Sequence, residues 1–152
     1  GAGMTARWPL GLGGKGNAGV AGLVKQTAFS IGYVELAYAV ENRIPYGRVR
    51  NAAGRFIKPS VKSVAAAARG GPDRPESREP IVDSPDPEAY PAAGYTWLVT
   101  PGRIDDPVKR RAVTEFLRWA LTEGQRMAEP LGYAPLPGEV AARALESVDR
   151  IR

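Results

Sequence analysis

The chain has 152 residues, with 21 lysines and arginines against 16 aspartates and glutamates, and neither histidine nor cysteine. Without cysteine there is no disulfide scaffold, thiol nucleophile or cysteine zinc site; without histidine there is no Ser-His or Cys-His relay and little to hold a transition metal. Any chemistry falls to carboxylates, lysines, arginines, hydroxyls or backbone amides, which leaves few enzyme classes.

The 18 glycines and 14 prolines make up about a fifth of the chain against a usual ~12%, which predicts turns and loops rather than a helical bundle. The formal charge of +5 fits nucleic acid, anionic lipid or an anionic ligand, and equally a solubilising surface. No apolar run approaches the ~20 residues that span a bilayer. The opening Gly1-Ala2-Gly3-Met4-Thr5 lacks the basic and apolar regions of a signal peptide. The expectation is a cytosolic chain, or a mature chain or fragment whose true start lies elsewhere.

In chain order, Arg7 to Leu10 reads as short and extended, interrupted by Pro9. The glycine-rich Gly11 to Gly16 follows, with Asn17 as a helix cap. Ala18 to Gln26 carries Val20, Leu23 and Val24 at i, i+3, i+4, a short helix with one apolar stripe. Ser30 to Val34 predicts a buried strand and Glu35 to Arg43 a helix. Tyr46 to Arg50 and Arg55 to Ile57 predict a small hairpin turning at Asn51-Ala52-Ala53-Gly54. Ser60 caps a helix over Val61 to Arg69. Gly70 to Ala89, with five prolines and many charges, predicts a loop or crossover. Tyr95 to Val99 predicts a strand. Asp106-Pro107 starts a helix whose core face is Val108, Ala112, Val113, Phe116, Leu117, Ala120 and Leu121. A helical turn over Gln125 to Ala128 and a last helix over Gly138 to Ile151 complete an α/β pattern.

Three patterns bear on function. Gly11, Gly13 and Gly16 spell the G-x-G-x-x-G of dinucleotide sites, with Glu35 near the distance of a ribose-binding acid. The strand before it is poor, however, and further βα units are lacking; an irregular loop before a helix is the plainer reading. Lys15 is not followed by Ser or Thr, so the P-loop pattern fails. Arg43, Arg48, Arg50, Arg55, Lys58, Lys62 and Arg69, with Tyr46 and Phe56, form a basic stretch able to meet phosphates, or an ordinary solvated surface. Asp105-Asp106 fits capping, and Glu35 with Glu41 is too weak a pair for acid–base work. No catalytic residue, metal ligand or cofactor is assigned.

The glycine loop is more specific when read with its surroundings. Trp8-Pro9-Leu10-Gly11-Leu12-Gly13-Gly14-Lys15-Gly16-Asn17-Ala18-Gly19-Val20 continues into Ser30-Ile31-Gly32-Tyr33-Val34-Glu35-Leu36-Ala37-Tyr38-Ala39. Later come Ala89-Tyr90-Pro91, Tyr95-Thr96-Trp97-Leu98, Phe116-Leu117-Arg118-Trp119-Ala120, Gly124-Gln125 and Leu131-Gly132-Tyr133-Ala134-Pro135-Leu136-Pro137. In this order they resemble the C-terminal half of the phosphate-binding proteins of bacterial high-affinity phosphate ABC transporters. The resemblance spans nearly the whole chain and is poor from Gly71 to Glu88.

The resemblance implies an α/β, two-lobed, type II periplasmic-binding-protein-like fold that is incomplete in both lobes. Residues 1–88 would finish one lobe, and 89–152 would cross the hinge and return to the other. It implies inorganic phosphate as ligand, a membrane permease as partner, no nucleic acid, and a periplasmic or extracytoplasmic location with a signal peptide in the missing N-terminal part. In the family, backbone amides, Ser/Thr hydroxyls, an Arg and an Asp hold the anion. Those segments precede the Trp-Pro motif, and no Ser-Gly-Thr occurs here, so no phosphate-binding residue is expected within this chain. Gly14, Lys15, Gly16 and Asn17 lie at best near the cleft. Such a half would leave sheet edges and apolar faces uncovered. The alternative is a stand-alone module that binds an anionic partner through Arg43 to Arg69.

Overall fold

A computed structural model describes residues 8–69 and 81–152. They form two separately packed units that divide between Tyr46 and Gly47. Expectations for Arg7 and for residues 70–80 lie outside the described residues.

In the first unit the chain leaves Gly11 (φ +123°) and Gly16 (φ +64°) in conformations that a Cβ would strain. It then enters α1, Gly16–Gln26. The helix closes where the Thr27 amide donates to the Leu23 carbonyl at 3.0 Å. The stretch after it turns at Thr27 to Phe29 and lies against α1 at Gly32. A Cβ there would stand 2.8 Å from Val24 Cγ2 and 3.0 Å from Val20 Cγ1, so the close approach needs glycine. A short α2, Leu36–Glu41, buries Ala39. Its end is held by Asn42 Nδ2 donating to the Tyr38 carbonyl at 2.9 Å.

The second unit begins with the hairpin β1, Val49–Arg50, and β2, Phe56–Ile57, paired antiparallel. Asn51 sets its turn: the Asn51 amide donates to the Arg55 carbonyl, and the Arg55 amide donates to Asn51 Oδ1 at 3.0 Å. Gly54 supplies the φ of +77° that the turn requires. α3, Val61–Ala67, opens with a Ser60–Ser63 capping box. Its alanines are small enough to let a loop approach. Ala66, Ala67 and Ala68 pack with Ile81, Ala89 and Ala93, and Val64 and Tyr95 cover the cluster. Asn51 ties this loop to the hairpin. Only 5% exposed, it donates through Nδ2 to the Pro87 and Ala89 carbonyls, each at 3.1 Å.

α4, Pro107–Leu121, starts as expected, with Asp106 Oδ1 accepting from the Val108 and Lys109 amides. It packs on α5, Gly138–Asp149, burying Leu117 and Val148. Between them run two 3₁₀ turns, Glu123–Met127 and Glu129–Leu131. Gln125 clamps this connection: Nε2 donates to the Ala120 carbonyl at 2.7 Å and Oε1 accepts from the Leu136 amide at 2.8 Å.

Four expectations change. Asn17 is not the α1 cap; the helix begins one residue earlier, behind Lys15. Asn17 Oδ1 accepts instead from the Glu35 amide at 3.0 Å. The α/β pattern shrinks to one two-stranded ladder among the described residues. Ser30 to Val34 and Tyr95 to Val99 take no regular secondary structure and join no ladder, and most of their side chains are exposed. A strand exists only through a neighbour, and these segments find none among the described residues. The apolar face of α4 also splits. Leu117 is buried, whereas Val108 and Phe116 are exposed, because α5 covers only part of a stripe broad enough for two partners. Uncovered apolar faces were expected of a half-fold, and they are present.

Asn51→Ala should lower stability by about 1–3 kcal/mol, since the buried Ala89 carbonyl and the Pro87 carbonyl would lose their donor. Urea unfolding checks this; a loss under about 0.5 kcal/mol would mean that the loop is held elsewhere.

Candidate functional site

The glycine loop is positioned by contact with the helix that it precedes. A Cβ on Gly14 would stand 2.6 Å from the Val20 nitrogen and 2.7 Å from the Gly19 carbonyl carbon. The loop therefore folds back onto the first turns of α1, with Gly19 as the reciprocal small residue. Lys15 caps through backbone geometry alone, with no side-chain acceptor. Asn17 links this turn to the start of α2 through the Glu35 amide. Gly14, Gly16 and Asn17 thus have packing and turn roles. The G-x-G-x-x-G spacing follows from a loop doubled onto a helix, not from a strand–loop–helix dinucleotide site.

The basic stretch is divided between the two units. Arg43 belongs to the first unit and the remainder to the second. Arg69 pairs with Asp86 at 3.5 Å and with Glu88 at 3.4 Å. The Arg50 guanidinium curls over its own hairpin, 3.5 Å from where a Gly54 Cβ would stand. Exposed pairs of this kind contribute little to stability, but they do take up charge that an anionic partner would need.

Asp106 caps α4, and Asp105 pairs with Arg103 at 2.7 Å. Glu35 precedes α2 and Glu41 ends it. Among the described residues no group of three carboxylates could hold a metal ion.

Two features carried no sequence signal. A shallow groove of about 330 Å³ lies between α4 and the end of α5, lined by Pro107, Arg110, Arg111, Thr114, Arg118 and Val148 with Asp149 and Ile151. Its arginines are largely engaged: Arg111 with Glu115 at 2.7 Å, Arg118 with Asp149, and Arg110 with the Ile104 carbonyl at 3.4 Å. The second feature surrounds Tyr95, whose hydroxyl donates to the Ala68 carbonyl at 3.3 Å and whose ring meets Trp97 edge-on at 5.6 Å. Burial pushes its phenol above the usual value; the positive charge of Arg143 opposes this, and Glu139 adds to the rise. Arg143 Nη2 is buried without a hydrogen-bond partner. Neither feature is a cage of converging donors able to hold a dehydrated anion.

No protein-family model matches the chain. Curated relatives do. The phosphate-binding protein PstS of Xylella fastidiosa (strain Temecula1) is 40% identical over 140 residues, 90% of this chain and 38% of that protein. PstS of Methanocaldococcus jannaschii is 35% identical over 170 aligned residues, covering 100% of this chain and 44% of its own length. PstS of Pasteurella multocida is 37% identical over 142 residues, 92% of this chain and 41% of that protein. The resemblance drawn from the motifs is borne out, and the chain spans about two-fifths of the length of the curated relatives it matches.

A raised tyrosine pKa has a signed consequence. The fold favours the neutral phenol, so the Tyr95 contribution is complete below its unfolded value of 10.0 and fades as pH rises through the higher folded value. Tyr95→Phe should therefore differ most from the parent near neutrality, with the gap closing at alkaline pH. Denaturant unfolding across that range checks it, and parallel curves would contradict it.

Proposed function

We propose that the chain is the C-terminal part of a phosphate-binding protein that delivers inorganic phosphate to the permease of an ABC importer. The observation that carries this reading is the 40% identity to one PstS over 90% of this chain but only 38% of that protein. The similarity lies along the whole chain rather than in a single motif.

The chemistry of such a protein is selective dehydration. Amides, hydroxyls and an Arg replace the hydration shell of the anion, while an Asp accepts the remaining proton of hydrogen phosphate. Sulfate brings no proton at neutral pH, so the same carboxylate meets it as an unsatisfied, repulsive acceptor. The family's segments for these groups have no counterpart in this chain, which contains no Ser-Gly-Thr. We therefore read its share of the work as scaffold. The glycine loop and α1 support one lobe. Residues 1–88 would complete that lobe. Residues 89–152 would then cross to the other lobe of a type II fold. The relatives are named as binding proteins, and Asp106 caps while Asp105 pairs with Arg103, so the reading is binding without catalysis. A periplasmic or extracytoplasmic site belongs to the same proposal. No helix among the described residues is long and apolar enough to cross a membrane.

The alternative of an anionic partner held by Arg43 to Arg69 has less support, because Arg69 is paired and Arg50 folds over its own turn.

Titration calorimetry tests the proposal. The 152-residue chain alone should show no micromolar phosphate binding. Fused behind the remaining N-terminal part of the Xylella fastidiosa relative, it should bind phosphate and reject sulfate. Micromolar or tighter binding by the chain alone would overturn the assignment of its ligands elsewhere. A folded fusion that ignores phosphate would overturn the functional reading.

A further inference from the structure

The groove between α4 and the end of α5 sets its polar groups at a regular spacing. Arg110, Thr114 and Arg118 stand four residues apart on one side of α4. They therefore rise about 6 Å at each step and about 12 Å from first to last. An extended polypeptide returns its side chains to one face at every second residue, about 6.6 Å apart. A segment laid along α4 would bring its residues i, i+2 and i+4 opposite Arg110, Thr114 and Arg118 in turn. Thr114 Oγ1 already donates to the Arg110 carbonyl at 3.0 Å, so it offers only lone pairs to a neighbour. The middle position thus suits a hydroxyl donor, and the outer two suit carboxylates. Val148 and Ile151 add aliphatic surface to the lining.

The charge of the groove is unbalanced. Its lining holds three guanidiniums and one carboxylate, Asp149. Arg118 shares that carboxylate and Arg111 pairs with Glu115, but all four side chains are more than half exposed. Exposed pairs of this kind exchange partners at little cost. Arg110 is different. It is half-buried, pairs with no carboxylate among the described residues, and reaches the Ile104 carbonyl at 3.4 Å. A partly desolvated cation without a counter-charge gains most from an incoming carboxylate. Arg69, by contrast, already meets two acids.

We propose that this groove is a docking surface for an acidic protein segment. The segment binds extended along α4, with carboxylates at i and i+4 on Arg110 and Arg118. Those carboxylates keep part of their hydration, as an open groove allows. A nucleic-acid strand fits less well, because no aromatic side chain among the described residues lines the groove to stack a base. The proposal does not depend on the phosphate reading.

The test titrates the full 152-residue chain into fluorescein-labelled Glu-Val-Ser-Val-Glu and follows anisotropy. Saturable, submillimolar binding is expected at low salt, weakening as salt rises. The same residues re-spaced as Glu-Val-Ser-Glu-Val put the second carboxylate on the opposite face and should bind about fivefold more weakly or worse. Arg110→Gln should weaken binding about tenfold. Arg48→Gln makes the same charge change on an exposed arginine elsewhere in the second unit and should alter binding less than about twofold. Asp149→Asn removes the competing carboxylate and should tighten binding about two- to fivefold. That opposite sign carries the test if Arg110→Gln fails to fold.

Several results would each overturn the proposal. One is no saturable binding in the submillimolar range, and another is equal affinity for the two spacings. Equal losses with Arg110→Gln and Arg48→Gln would reduce the effect to overall charge. Weaker binding by Asp149→Asn would show that the peptide sits elsewhere. An oligothymidylate or phosphatidylglycerol vesicles bound more tightly than the peptide, and lost with Arg110→Gln, would make the occupant nucleic acid or lipid.

Discussion

An extended backbone carries a free donor and acceptor at every residue and is stable only where something answers them. That constraint organises this chain. Where an answer lies within the sequence, the structure closes. Asn51 turns the β1–β2 hairpin and uses its carboxamide to hold the Pro87 and Ala89 carbonyls. Where no answer lies among the described residues, as at Ile31 to Val34 and Trp97 to Val99, the segment stays irregular and largely exposed.

The apolar surface follows the same division. α4 and α5 satisfy each other through Leu117 and Val148, and the alanine cluster of α3 is sealed by Ile81, Ala89 and Ala93. These parts need nothing further. Val108 on the outer side of α4, and Phe116 and Trp119, whose rings meet each other at 6.0 Å, remain largely exposed, like Phe29 and Ile31 in the first unit. Burying a side chain of this size is worth roughly 1.5–3 kcal/mol, so leaving several bare forfeits stability comparable with that of a small domain. If the chain is the C-terminal part of a phosphate-binding protein, as proposed, these residues would belong to a larger core that the rest of that protein completes.

Local chemistry was the most legible part of the sequence. Asp106-Pro107 caps α4 as its residue types require, and Ser60 caps α3 with a reciprocal bond from Ser63 that its hydroxyl makes possible. The Asn51 to Gly54 turn fell where glycine allowed positive φ. The strands were not legible, because their β-branched and aromatic residues report what the segment would suit, not whether a neighbour is present. Asn17 misled for a related reason: its side chain suits a cap, but the amide of Glu35 claims it. The groove at Arg110 and Arg118 and the buried Arg143 Nη2 arise from tertiary contact between helices and left no mark in local pattern. The glycine spacing was visible but ambiguous. Only the close fit of Gly14 against Gly19 and Val20 shows that it serves packing.

Amide hydrogen exchange on the isolated, monomeric chain reads the central constraint residue by residue. The account predicts near-unprotected exchange at Ile31 to Val34 and at Trp97 to Val99, alongside strong protection at Ala66 and Leu117 within α3 and α4. Protection of Ile31 to Val34 comparable with that of Leu117 would contradict it, because those amides would then have partners inside this chain.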